Sequence, residues 1–346
     1  MHGTHDSRSG QPNRRSFLAS SLLGVSAAAA ISGREERSVL AALQEGARVS
    51  PEDRANAAKE PMPCGKIGNA TISRLMLGSN LIGGFAHSRD LLYVSQLFKE
   101  YNTETKIFDT FELAEQTGIN AILTNPTTLD FVQRYNQQRG GKLQAIVYVR
   151  AYEDAAEAKK EVDTVVEKGA CAISTHGGET DKFVRDGNLD PLAKTIELIH
   201  GHGMPAGLGG HSLEVPKVAE AQKLGADFYH KTFHHDRYWS ATPEESRQEW
   251  CWYQPLTGEH DDYNDNMFCL NPQATADFMA TVQKPWIAFK VLAAGAIDPR
   301  QGFSYAFRNG ADFICCGMFD FQVCDDALLV KDILRKLDQR PRPWMA

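Results

Sequence analysis

The feature that most constrains this chain is a repeat of pattern rather than of letters. From Pro63 onward, apolar runs of strand length alternate with longer amphipathic stretches, often with a glycine between them. The runs are SRLMLGSN (73–80), NAILTN (120–125), LQAIVYVRA (143–151), ACAISTHG (170–177), PAGLGGHS (205–212), ADFYHKTFH (226–234), WIAFKVLAAG (286–295) and ADFICCGMFD (311–320). Strands apolar on both faces belong to a parallel sheet covered by helices. The segments 153–168, 190–203, 214–225 and 271–282 read as those helices. In the first, Ala156, Val162, Val165 and Val166 share a face; the second opens on Asp190-Pro191 and closes on glycine.

Eight such units suit an α/β (β/α)8 TIM barrel, which takes ~250 residues. A doubly wound sheet uses the same alternation, but its glycine fingerprint is missing. The first turn, GSNLIGG, has the wrong spacing, and the second strand ends in Thr124-Asn125 rather than an acid. The expected layout is a barrel over 63–346 with a long loop after the sixth strand.

Residues 1–30 read as an export signal: paired Arg14 and Arg15, an apolar stretch, then small residues. The arginine pair followed by Ser-Phe-Leu resembles the twin-arginine signal, which implies an exported, periplasmic protein. Residues 31–62 read as a charged, alanine-rich linker. Lys+Arg number 37 against Asp+Glu 44, with no basic block, so nucleic acid is not an expected partner. No later apolar run is long enough to cross a bilayer, so no membrane span is expected once the signal is removed. A homo-oligomer is left open. The seven cysteines cannot all pair within the chain; Cys251 and Cys269 bracket the long loop and suit a disulfide in an oxidising compartment.

In a barrel the C-terminal strand ends converge on one mouth. They offer Asn80, Asn125, Arg150, His176, His211, Lys231, His234, Lys290 and Asp320. His176, His211 and His234 follow three successive strands, the arrangement of three imidazoles around a divalent metal ion with positions open for substrate. Lys231 is the expected cation for a developing oxyanion, with His176 beside it and Lys290 assisting at the barrel floor. Strand alternation admits only one of His230 and Lys231 to the lumen. Asn80, Arg150, Trp239 and Asp320 are expected to contact substrate. The loop 236–272 adds Trp250, Trp252 and Tyr253 among Glu249, Asp261, Asp262 and Asp265, a composition suited to sugars.

Two resemblances bear on chemistry. KIGNATISRLMLGSNLIGG, TGINAILTN and ACAISTHG resemble the opening hairpin and the first, second and fourth strands of aldo-keto reductases, which implies a catalytic role for His176. Thr124-Asn125-Pro126 replaces that family's aspartate with its nearby tyrosine, and Arg150 stands near the place of its lysine. DFYHKT and AFKVLAAGAI resemble the sixth and seventh strands of deoxyribose-phosphate-type aldolases, which implies lysine roles for Lys231 and Lys290. The whole chain resembles a group of exported bacterial barrel proteins described as aldo-keto-reductase-like.

The expectation is an exported barrel enzyme acting on a carbohydrate or small hydroxy-carbonyl compound, of lyase, isomerase or hydrolase type, with a divalent metal. Three alternatives remain: a metal-free Schiff-base aldolase using Lys231 or Lys290, an NADP-dependent reductase, and a sugar-binding barrel without turnover.

Overall fold

The computed structural model describes residues 59–88, 91–250 and 267–346. The export signal, most of the linker and Cys251 lie outside them. An antiparallel hairpin, β1 (Cys64–Ile67) and β2 (Ala70–Ser73), leads into eight parallel strands. These are β3 (Leu75–Gly78), β4 (Ala121–Thr124), β5 (Gln144–Val149), β6 (Ala172–Thr175), β7 (Ala206–Gly210), β8 (Phe228–Thr232), β9 (Trp286–Phe289) and β10 (Phe313–Cys316). They pair in chain order, and β10 pairs back onto β3, with Ile314 opposite Leu75, to close the barrel. All eight apolar runs thus supply a strand.

Alternation along each strand separates two cores. Met76, Ile146, Phe228, Ile287 and Phe313 fill the barrel, and Ile67 and Ile72 of the hairpin join them at its N-terminal end. Leu77, Val147, Tyr229 and Trp286 face outward, against Phe111, Val162, Ile199 and Phe303 of the helical layer. Removing each such side chain from water contributes ~1.5–3 kcal/mol.

Local chemistry starts the helices where the sequence signals them. Asn125 accepts a hydrogen bond from Thr128 N at 2.8 Å, with Pro126 as the first helical residue of Pro126–Arg139. Asn271 with Pro272 and Asp298 with Pro299 repeat the device. Two helices follow β6, Gly177–Arg185 and Asp190–Gly201, where the sequence reading placed one.

Three departures from regular strand geometry shape the mouth. Alternate glycines on β7 make room for its neighbour: a Cβ on Gly207 would lie 2.4 Å from the Phe228 ring, and one on Gly209 2.1 Å from His230 Nε2. The seventh barrel strand stops at Phe289. Beyond it Lys290, Ala293 and Ala294 take φ of +56°, +45° and +56°, a left-handed backbone that is costly for residues with a Cβ. Finally, the connection from Phe233 to Asn271 contains, among its described residues, only the single turn Glu244–Ser246 as helix. Among the described residues no helix is long and apolar enough to cross a membrane.

Candidate active site at the barrel mouth

The centre of the mouth is a histidine seated on a carboxylate. Asp181, in the helix Gly177–Arg185, is completely buried. It accepts hydrogen bonds from His211 N at 2.9 Å and Ser212 N at 3.0 Å, and His211 Nδ1 lies 2.7 Å from its other oxygen. Burial pushes the Asp181 carboxyl up to about 7, while the Ser212 and His211 N–H groups pull it down. Burial, followed by the charges of Lys290 and His176, pushes His211 well below its ordinary value. The imidazole is therefore neutral near pH 7. With Nδ1 donating to the carboxylate, Nε2 is the basic nitrogen.

A cation stands on the same aromatic floor. Lys290 Nζ lies 2.6 Å from His87 Nε2 and 4.0 Å from the centre of the Phe268 ring. The His211 ring is 4.9 Å from Phe268 and 5.4 Å from Phe289. The left-handed turn after β9 brings Lys290 here, so it serves the mouth, not the barrel floor that the sequence reading assigned it.

His176 follows β6 at the start of the helix Gly177–Arg185, exposed to the mouth. Its ring lies 5.6 Å from Tyr148 of β5. Tyr148 faces the lumen, 6.3 Å from His230, which itself packs 5.2 Å from Phe289. Alternation admits His230 to the lumen, and Lys231 turns outward.

Lys231 is 2% exposed, with Nζ donating to Thr232 O at 2.8 Å and Thr232 Oγ1 at 2.9 Å. Burial pushes its ammonium down, and Cys269, Asp181 and Glu249 push it back up. It borders a cavity of about 160 Å³ shared with His211, Glu214, Lys217, Glu249 and Phe268.

The other expected residues are spread more widely. His234 is fully buried and both its nitrogens are engaged: Nδ1 donates to His235 O at 2.9 Å, and Nε2 accepts from Phe268 N and Cys269 N, each at 3.2 Å. Burial lowers it to about 4. It ties the end of the long loop to the barrel. Among the described residues no three His, Cys, Asp or Glu side chains are grouped to hold a metal ion. The histidine trio therefore does not fit a metal, because His234 has no nitrogen left to offer.

Arg150 is exposed and paired with Glu179 at 2.5 Å. Asp320 accepts from the Tyr101 hydroxyl at 2.6 Å and Lys106 Nζ at 2.9 Å, away from the imidazoles. Asn80 opens the short helix Asn80–Gly83 after β3, and Trp239 stands 91% exposed on the loop after β8. Cys269 is a buried free thiol; Cys251, its expected partner, lies outside the described residues.

Sequence reasoning missed Asp181, His87 and Tyr148, and of the pair His230 and Lys231 it gave the role to Lys231. Tyr148 was findable, since it lies two residues before Arg150 on the same strand face. Asp181 reads locally as one more polar helix residue.

No family model matches the chain, and no curated protein matches its sequence. Solved structures do match. A candidate aldo-keto reductase from Pseudomonas aeruginosa superposes with a TM-score of 0.54 at 14% identity, covering 80% of this chain and 98% of that one. A second structure under that description gives 0.53 at 15%, covering 81% and 99%. The chain shares with them the (β/α)8 TIM-barrel fold. A candidate deoxyribose-phosphate aldolase from Coccidioides immitis also matches, with a TM-score of 0.41 at 9% identity over 78% of this chain and 95% of that one. At these identities the likeness is one of fold.

Proposed function

We propose that this barrel is an enzyme that moves a proton at the carbon beside a carbonyl group in a small hydroxylated compound, an isomerase- or lyase-type reaction. The observation that carries this reading is His211, held by the buried Asp181 carboxylate next to the Lys290 cation. His211 Nε2 takes the proton from carbon, and the electron pair moves onto the carbonyl oxygen to give an enediolate. Lys290, with His87 on its amine, offsets the new negative charge. The proton then returns from the imidazolium to the neighbouring carbon, while the proton of the first hydroxyl passes to the former carbonyl oxygen, so that the carbonyl and hydroxyl exchange places. The same enolate arises when an aldol-type C–C bond breaks. Asp181 stabilises the imidazolium between the two transfers.

The test is proton NMR in D2O with trioses and short hydroxyketones. Catalysed loss of the α-proton signal is expected, and His211→Asn should slow it ~10²–10⁴-fold. Wild-type protein that exchanges none of them removes the reading.

A second reading, a Schiff-base lyase, is supported by Lys231, whose buried amine borders a cavity. Borohydride with substrate present should then add mass at Lys231, and an unmodified lysine ends it. Reductase chemistry draws only on the fold likeness, since Thr124-Asn125-Pro126 stands where the resemblance calls for an acid. A fluorescence shift on adding NADPH would revive it. The Arg14-Arg15 signal supports export by the twin-arginine route, which N-terminal sequencing of the protein from cell fractions would check.

A further inference from the structure

Below the charged mouth the lumen changes character. Ser79 just past β3, Ser174 on β6 and His230 on β8 are all buried, at 2%, 0% and 3% exposure. Ser174 Oγ and His230 Nδ1 have no hydrogen-bond partner, and Ser79 Oγ has only the Tyr148 phenol beside it. Tyr148 links the three positions. It is paired with Ser174 in the β5–β6 register, its ring lies 6.3 Å from His230, and its phenol is next to Ser79 and Asn125. Around them the walls are apolar: Met76, Leu123, Ile146, Ile287, Phe289 and Cys315.

Two orphaned polar atoms beside a weakly held serine hydroxyl are unusual, because each costs free energy unless something fills it. The groups there are also neutral. Burial, then His211 and His176, drives His230 down to about 3. Burial raises Tyr148, only partly reversed by Ser79 and Asn125, and raises Cys315 to about 12. An ionised group would lose its hydration in this well without gaining a counter-charge. A hydroxyl, which both donates and accepts, suits two serine hydroxyls and an imidazole nitrogen. The cationic side chains Lys290 and Arg150 lie one layer higher.

Resting on the reading above, we propose that this well is a specificity subsite for an uncharged terminal hydroxyl of the substrate, lined by Ser79, Ser174, His230 and Tyr148. The carbonyl end then lies at the mouth against His211 and Lys290. The substrate class narrows to short polyhydroxy aldehydes and ketones that enter by a neutral hydroxymethyl end.

The test compares glyceraldehyde with lactaldehyde, which keeps the carbonyl and the adjacent hydroxyl and lacks the terminal one, by titration of the full chain. Wild type should bind glyceraldehyde ~10-fold more tightly. Ser79→Ala/Ser174→Ala should abolish that preference while lactaldehyde affinity stays within ~2-fold. Equal affinities in wild type, or a preference that survives the double variant, overturns the inference; so does a well that holds only water, because it shows no preference. His211→Asn separates the two claims. It should lose proton exchange yet keep the hydroxyl preference. Wild-type exchange without preference sinks the subsite alone, and preference without wild-type exchange sinks the reaction alone.

Discussion

The two ends of this barrel both bury charge and use it in opposite ways. At the N-terminal end Asp312, just before β10, accepts from Trp286 N at 3.0 Å and Met345 N at 2.9 Å, with Arg342 at 3.3 Å. Arg74 donates to Asp312 O, and the guanidinium groups of Arg74 and Arg340 lie 4.0 and 3.3 Å from the centre of the Trp344 ring. Opposite charge and ring faces surround the carboxylate, and the cluster ties the C-terminal segment to the barrel. At the mouth, imidazoles gather near a lysine that a left-handed turn presents, and His211 rests on the buried carboxylate of Asp181. The first arrangement stores stability; the second keeps a base neutral beside a cation.

The comparison breaks most visibly at Asp181. Asp181→Asn keeps an acceptor for the backbone N–H groups but no longer fixes the His211 tautomer. Solvent exchange at carbon should fall ~10²–10⁴-fold with the fold retained by circular dichroism. In wild type the exchange rate should rise with pH through about 7, as Asp181 becomes ionised, and the variant should lack that rise.

Asp312→Ala should show the reverse. Leaving Arg342 buried without its carboxylate should cost ~3–5 kcal/mol in urea unfolding, with exchange per folded molecule unchanged. An Asp312 variant that unfolds normally but loses exchange would erase the division between the two ends.

Smaller effects sharpen the contrast. Gly209→Ala should push the His230 ring of β8 and the Thr175 carbonyl away from β7 and cost ~1–3 kcal/mol in thermal unfolding, with glyceraldehyde binding weakened too. Asp326 belongs to neither arrangement: it is 5% exposed, one carboxyl oxygen has no partner, and burial, then Asp325 and Asp298, pushes it up to about 7. Its folded value lies above its unfolded one of ~3.9, so its favourable contribution is complete below pH ~4 and is lost as pH rises through about 7. Asp326→Asn should therefore be more stable than wild type by ~1–3 kcal/mol at pH 8 and equal to it near pH 4.

The fold was legible because its signal is local. Apolar runs such as NAILTN and ADFICCG must lie in a parallel sheet covered on both faces, and the spacing between runs leaves room for a helix each time. Asn-Pro and Asp-Pro pairs mark helix starts by chemistry confined to four residues. The same locality placed His176 and His211 correctly at strand ends. It failed at His234, where a strand-end histidine turned out to brace a loop, since its partners Phe268 and Cys269 lie 34 and 35 residues away.

What this sequence determined unaided is the ring of strands and which residues reach its rim, because both follow from periodicity along one segment. Tertiary structure alone decided which rim residues work together. Asp181 meets His211 across 30 residues and His87 meets Lys290 across 203, and β8 turns His230 inward at the expense of Lys231. Such pairings depend on how separate segments are brought together in space, and no periodicity within either segment encodes its partner.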